Sequence, residues 1–139
     1  MREAIGGSML FYIVITLLVL YIVFISFIMN YASTYRAANY VISQIEMCNG
    51  DLSDCKGQGG VSVTTDTICT KIKNYYNFAG NIKNVGCSQN TNGAVYRITM
   101  GLNFTLPFVG NFDISNISVE TKTIYNVTCG DIQGSCFKS

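Results

Sequence analysis

The first third of the chain carries a long apolar run. Residues 9–29 read MLFYIVITLLVLYIVFISFIM and include no charged side chain. As a helix that rises about 1.5 Å per residue, the run is as long as the hydrocarbon layer of a bilayer is thick. It is longer than the apolar stretch of a cleaved secretory signal. The pattern predicts a membrane-spanning helix over residues 9–29, preceded by a short segment at residues 1–8.

The helical pattern continues beyond the apolar run. Residues 30–49 contain neither Gly nor Pro, and apolar side chains recur at the three- and four-residue spacing of one helix face. The members of this face are Ile28, Tyr31, Tyr35, Ala38, Ile42 and Ile45. We expect one continuous helix from Ser8 to Glu46, with an amphipathic extension at residues 30–46. Its apolar face packs against the rest of the chain or, alternatively, against a partner helix, and Glu46 belongs to its polar face.

Residues 47–65 are rich in Gly, Asp and Ser and are predicted to form a loop. A short helix follows, capped by Thr65 or Asp66 and extending to Tyr76. The polar stretch from residue 88 to residue 93, SQNTNG, is predicted to be a hairpin turn.

Alternating side chains then predict a strand over residues 95–104, which Pro107 and Gly110 interrupt. A second strand is expected over residues 112–125, or two strands with a kink near Asn116. The fold class is therefore α+β. Residues 47–139 are expected to form a small extracytoplasmic domain, in which an antiparallel sheet lies on the amphipathic helix.

Six cysteines follow the apolar run, and an even number in a small domain is typical of disulfides formed in an oxidising compartment. They are Cys48, Cys55, Cys69, Cys87, Cys129 and Cys136. Fifteen pairings are open, and the preferred one joins neighbours in order, as 48–55, 69–87 and 129–136. A metal site and a redox enzyme are less favoured because no CxxC pair occurs, and free thiols are a further alternative.

The location of the cysteines also predicts the orientation of the chain. The charges that flank the apolar run, Arg2 and Glu3 on one side and Arg36 on the other, are too balanced to decide it. Disulfides in the distal domain place that domain outside the cytoplasm, and the N-terminus is then cytoplasmic.

The residue inventory argues against catalysis, metal binding and nucleic-acid binding. The chain has no His, the commonest general base and transition-metal ligand. Its nine Lys and Arg are dispersed, and the net charge is +1, so no basic stripe follows a phosphate backbone. Asp51 and Asp54 are an acidic pair without the residue pattern of a calcium-binding loop. We therefore expect a protein that is not an enzyme and that has no metal or cofactor.

Three asparagines lie in glycosylation sequons, namely Asn103, Asn116 and Asn126. The sequon is an acceptor only in a secreted or surface-exposed protein of a suitable cell. In a chain this rich in Asn, Ser and Thr, about two such matches arise by chance, so the signal is weak.

The start MREAIGGSMLFYIVITLLVLYIVF resembles that of TadE-like pseudopilins, which are type IV pilin-like proteins. The late stretch LPFVGNFDISNISVETKTI is also similar to the C-terminal strand region of some TadE-like proteins. The resemblance implies that a prepilin peptidase removes a leader by cutting before Gly7 or Ser8. The family's acidic residue near the start of the mature helix is replaced here by Phe11 or Tyr12, which favours a minor or initiating subunit over a major pilin.

The function that the resemblance implies is structural. The expected partners are the lipid bilayer, other pilin-like subunits and the pilus assembly machinery, in a homo-oligomer or filament. Small residues of the helix, namely Gly6, Gly7, Ser8 and Ser26, are candidates for close helix packing. The alternative function is a single-pass anchored binding module or a small viral or cell-surface type II membrane protein.

Overall fold

The computed structural model of the chain has the predicted α+β architecture. It describes residues 2–52, 55–57, 60, 62–76, 82–106, 110–130, 132 and 136–137. The helices are α1 (Arg2–Met47) and α2 (Thr65–Tyr75). The strands are β1 (Ile82–Asn90), β2 (Gly93–Leu106), β3 (Gly110–Glu120) and β4 (Ile124–Tyr125).

Helix α1 runs without a break from the apolar segment into the domain, as the absence of Gly and Pro predicts. Its C-terminus is closed by a Schellman motif, in which the amide of Gly50 donates to the carbonyl of Ile45 at 3.0 Å and that of Asn49 donates to Glu46 at 3.3 Å. Asn49 is the C′ residue and has the positive φ (52°) that this motif requires, and Gly50 also has a positive φ (80°). A Cβ on Gly50 would also lie 2.8 Å from the ring of Tyr96, so the turn is pressed against the sheet.

The buried face of α1 differs from the predicted one. The buried residues are Thr34, Ala37, Ala38, Val41, Ile42 and Ile45. Tyr31 and Tyr35 are 46% and 48% exposed, so their assignment to the buried stripe was wrong, and so was that of Ile28. The sheet packs closely on the two alanines, and the bulky tyrosines are left at the flank of the contact.

Glu46, predicted to lie on the polar face, also contacts the domain. Its side chain is half-buried, and its Oε1 accepts a hydrogen bond of 2.9 Å from the backbone amide of Lys122. The carboxylate thereby joins the last turn of α1 to the segment that follows β3.

Helix α2 begins one residue earlier than the predicted caps allow. Thr64 is the N-cap, and it forms a capping box with Thr67, in which each side chain bonds the other's backbone amide. Ile68, Cys69 and Ile72 are buried in the core that α1 and the sheet share.

The C-terminal end of α2 is held against α1. Ser33 Oγ of α1 donates to the carbonyl of Tyr76, the residue that follows α2. The rings of Tyr40 and Tyr76 lie 5.4 Å apart. Because the start of α2 lies near the end of α1 and its own end lies near Ser33, the two helices run in opposite directions.

Strands β1, β2 and β3 form an antiparallel sheet in that order, and β4 pairs with the start of β2. The predicted hairpin turn is confirmed and narrows to Thr91 and Asn92, because Asn90 pairs with Gly93.

The second predicted strand is divided at residues 121–123. Within β3 the pairing with β2 also shifts register between Ser115 and Asp113, close to the kink predicted near Asn116. At Thr121, where β3 has ended, two hydrogen bonds join the chain to β2. The amide of Thr121 donates to the carbonyl of Tyr96, and the amide of Tyr96 donates to Thr121 Oγ1.

Three disulfides join these elements, and every cysteine is paired. The predicted bond between Cys48 and Cys55 is confirmed. The predicted pairings 69–87 and 129–136 are wrong, because Cys69 of α2 bonds Cys136 and Cys87 of β1 bonds Cys129. Both bonds join the segment after β4 to earlier elements of the fold. The order of the cysteines along the chain does not reveal these pairings.

Replacing Gly93 by Ala should destabilise the domain strongly. An added Cβ would overlap the backbone carbonyl of Ile124, which cannot move without breaking the contact between β2 and β4. We expect the free energy of unfolding to fall by about 3 kcal/mol. The matched control is Gly86→Ala on β1, where the nearest atom would be 4.0 Å away. Equal losses in the two variants, measured by denaturant titration in detergent, would contradict the packing of β4.

The two long-range disulfides should stabilise the chain more than the short one. The bonds Cys87–Cys129 and Cys48–Cys55 enclose sequence separations of 42 and 7 residues. Replacing both members of a pair by Ser should therefore cost about 4 kcal/mol for the first pair and about 2 kcal/mol for the second, by the chain-entropy estimate. Denaturant titrations of the two double variants give this comparison, and a greater loss from the short loop would contradict the prediction.

Candidate functional site

The apolar half of α1 is the largest exposed apolar surface of the described residues. From Ile5 to Met29, almost every large apolar side chain is exposed. The most apolar window of the helix has a mean hydropathy of 2.8, and none of it is buried. By length and composition, α1 could cross a membrane, which is compatible with a single-pass anchor. Exposed apolar surface on this scale indicates contact with lipid or with protein.

The candidate small residues do not converge on one site within the chain. Gly6, Gly7 and Ser8 are consecutive, so they point to three sides of α1. Ser26 shares a side with Ser8, but it lies five turns, or about 27 Å, further along the helix. A Cβ added to Gly6 or Gly7 would meet no atom within 4 Å. The fold of the single chain does not require these glycines, and their role in helix packing stays a prediction.

The predicted leader is helical in the structure. The cleavage positions before Gly7 and Ser8 fall within the first two turns of α1. Each glycine weakens a helix by about 1 kcal/mol relative to alanine, so the pair is the easiest place in this segment to unwind. Local unwinding is what a peptidase needs in order to reach the backbone, and cleavage there stays a prediction.

An exposed apolar ridge begins within the apolar run at residues 9–29 and continues along the amphipathic extension at residues 30–46. Its members Phe24, Ile28, Tyr31 and Tyr35 are spaced by four, three and four residues and are all at least 46% exposed. This spacing keeps them on one side of α1, next to the face that the sheet covers. The ridge therefore extends about 9 Å past Met29, the end of the apolar run.

The described residues offer little for catalysis or metal binding. They contain no group of three or more His, Cys, Asp or Glu residues placed to hold a metal ion. All six thiols are in disulfides, so none is a nucleophile in this state. Asp51 is exposed beside the end of α1, while Asp54, its partner in the acidic pair, lies outside the described residues.

A cleft of about 810 Å³ lies between α1 and α2. Tyr40, Lys71 and Tyr75 are among its lining residues. Lys71 Nζ stands 5.2 Å from the centre of the Tyr40 ring, an arrangement in which the cation is attracted to the aromatic face. A second cleft, of about 820 Å³, lies between the end of α1 and the segment after β4 and includes Asp51 and Asn126.

The three sequon asparagines are exposed. Asn103 and Asn116 lie on β2 and β3, and Asn126 follows β4 with a positive φ of 60°. Their side chains are accessible, but accessibility alone does not make a sequon an acceptor.

Sequence reasoning missed the residues that position α1 against the domain. Glu46 was assigned to the polar face without a partner. Tyr96 was assigned no role, although its ring lies under Gly50 and its hydroxyl accepts from the amide of Gly130 at 3.1 Å. Gln89 was missed as well: it accepts from the amide of Cys129 at 2.9 Å. Of the three, only Glu46 carried a signal in the sequence, because it is a polar residue at the end of an amphipathic helix.

The chain was compared with protein-family models, curated proteins and solved structures. No family model, curated protein or solved structure matches it.

Proposed function

We propose that the chain is a non-enzymatic structural subunit, a minor pilin or pseudopilin of a type IV or tight-adherence-like pilus or secretion system. The observation that carries the proposal is the exposed ridge formed by Phe24, Ile28, Tyr31 and Tyr35. Lipid covers exposed apolar side chains along the hydrocarbon layer, and the interfacial layer just beyond it accommodates tyrosines. The ridge runs without a break from Phe24 to Tyr35, six residues beyond Met29, where Tyr35 is still 48% exposed. A second helix packed along the ridge would cover all of it at once.

The mechanism follows from the two halves of α1. The apolar half holds the subunit in the bilayer until assembly. During assembly, it exchanges lipid contacts for contacts with the helices of other subunits, which close packing and small side chains favour. The domain on the other half stays in solvent, where it contacts neighbouring subunits or a surface.

The disulfides support the localisation. Three bonds in a small domain persist in an oxidising compartment and are rare in the cytosol. In the proposed topology, the domain at residues 47–139 is extracytoplasmic and the segment at residues 1–8 is cytoplasmic. The protein is then a single-pass protein of the cell membrane that can enter a surface pilus.

A second candidate function is an anchored binding module, including a small viral or cell-surface type II membrane protein. The cleft between α1 and α2 favours this reading, because it combines aromatic rings with Lys71 and polar side chains. Such a module needs no other subunit along α1, and this difference separates the two functions.

A photo-crosslinking residue at the ridge should form adducts with other membrane helices. We expect p-benzoylphenylalanine at Tyr31 or Tyr35 to crosslink to another copy or to a pilin-like subunit in native membranes. The matched control is Tyr125, an aromatic residue that is 71% exposed on β4, far from the ridge. Mass spectrometry of the adducts identifies the partner. Adducts with lipid alone at Tyr31 and Tyr35, as an isolated anchor would give, would reject the proposal.

Processing gives a second, independent test. Intact mass of the chain purified from its native membranes should show the loss of the first six or seven residues. The double variant Gly6→Leu, Gly7→Leu should keep its full mass, because bulky side chains would block the peptidase. The control Ile5→Leu should be processed as usual. A wild-type chain that retains Met1 would remove the prepilin part of the proposal.

A further inference from the structure

The C-terminal end of α2 lies close to the end of the predicted membrane span. Ser33 Oγ of α1 donates a hydrogen bond to the carbonyl of Tyr76, the residue that follows α2. Ser33 is four residues beyond Met29, or about 6 Å along the helix. The headgroup layer on each side of a bilayer is about 5–7 Å thick. With residues 9–29 in the hydrocarbon layer, the end of α2 is therefore level with the lipid headgroups.

Three basic side chains lie at this end of α2. Lys71 and Lys73 belong to its last two turns, and both are exposed. Arg36, which is also exposed, is three residues from Ser33 and four from Tyr40. Both of these residues contact the residue that follows α2, so Arg36 is on the side of α1 that faces the end of α2. Side chains of a helix tilt towards its N-terminus, and Arg36 therefore leans towards the bilayer.

These positive charges are not neutralised by neighbouring acids. None of the acidic side chains that the structure describes pairs with Arg36, Lys71 or Lys73. Asp113, on β3, belongs to another side of α1. The segment after β3 is bonded to Glu46, about a third of a turn around α1 from the side that α2 contacts.

Beyond the membrane span, the acidic side chains that the structure describes are farther from the bilayer than the basic end of α2. They are Glu46, Asp51, Asp66 and Glu120. Glu46 lies about 26 Å beyond the end of the span, Asp51 follows the end of α1, and the segment after Glu120 bonds Glu46. Asp66 is in the first turn of α2, in the same cleft as Met47. Charges are screened over about 8 Å in physiological salt, so the headgroups interact with the basic residues and not with these acids.

We propose that Arg36, Lys71 and Lys73, together with the ring of Tyr75, form a binding surface for acidic lipid headgroups of the bilayer that holds α1. Basic residues close to a membrane surface are attracted to acidic lipids. The ring of Tyr75 is 75% exposed, and aromatic rings concentrate in the interfacial layer. The inference rests on the membrane anchoring of α1 in the proposed function. The surface makes the orientation of the domain on the membrane depend on the content of acidic lipid.

Spin-labelled lipids measure this preference on the full chain. The chain is reconstituted in phosphatidylcholine vesicles with a trace of spin-labelled phosphatidylglycerol or spin-labelled phosphatidylcholine, and the spectra give the fraction of each lipid that the protein immobilises. We expect the wild type to prefer phosphatidylglycerol and the double variant Arg36→Gln, Lys73→Gln to lose much of that preference. Lys71 is kept because it also contacts the ring of Tyr40. The upper limit is about fivefold per charge, and averaging over all lipids around α1 lowers the measured change to about twofold.

The matched control removes the same charge at the far end of the domain. Lys56→Gln, Lys122→Gln also changes two exposed side chains and should keep the wild-type preference. Arg2, at the other end of the span, contributes equally in every variant. Intact mass after alkylation, with and without reduction, verifies that each variant keeps its disulfides.

The outcomes separate this inference from the anchoring itself. A wild type without a preference, an unchanged preference in the Arg36 and Lys73 variant, or an equal loss in the control would overturn the binding surface and leave the anchor in place. A chain that immobilises neither lipid would reject the anchor, and the binding surface with it.

Discussion

The burial of one face of α1 beneath β2 and α2 is the interaction on which the rest of the structure depends. The same helix provides the exposed apolar segment and one wall of the domain's core, without a linker between them. Ala37 and Ala38 let the sheet approach the helix axis closely, and Val41 and Ile45 fill the space towards its end. The domain is therefore fixed rigidly to whatever holds the first half of the helix.

The domain at residues 47–139 is too small to build a large hydrophobic core of its own. Domains of this size bury a modest fraction of their apolar surface and commonly need covalent cross-links. Here the cross-links are placed where the backbone is least supported. In the described part of the segment after β4, pairing with the sheet is limited to a single bridge between Phe137 and Ile82. Two disulfides together with Gln89 and Tyr96 attach this segment to β1, α2 and β2.

The features that depend on local pattern could be predicted from the sequence. The continuous helix needed only an uninterrupted run of helix-compatible residues, and β2 needed only alternating side chains. Strand β1 was missed because its sequence, IKNVGCSQN, alternates weakly and contains Gly86, so its place in the sheet is set by pairing with β2. The buried stripe of α1 was misplaced because hydrophobicity alone favours Tyr31 and Tyr35, whereas close packing on a sheet favours alanine. Two disulfides were misassigned because spacing along the chain says nothing about which strands the fold brings together.

The candidate site could be predicted from the sequence only in part, because it also depends on which surfaces the fold brings together. The apolar run and its length are properties of the sequence, but the ridge along α1 becomes visible only when the sheet has covered the neighbouring face. The packing roles predicted for Gly6, Gly7, Ser8 and Ser26 stay predictions, because no other helix of the described residues packs against that half of α1.

The central claim is that α1 anchors the chain with its disulfide-bonded domain on the outer side of the membrane. Alkylation of thiols on intact cells, read by intact mass, tests it most directly. The account predicts that all six cysteines resist alkylation until a membrane-impermeant reductant is added, and that an impermeant alkylating reagent then modifies them from outside. Six free thiols that react only after lysis of the cells would contradict it and would place the domain in the cytoplasm.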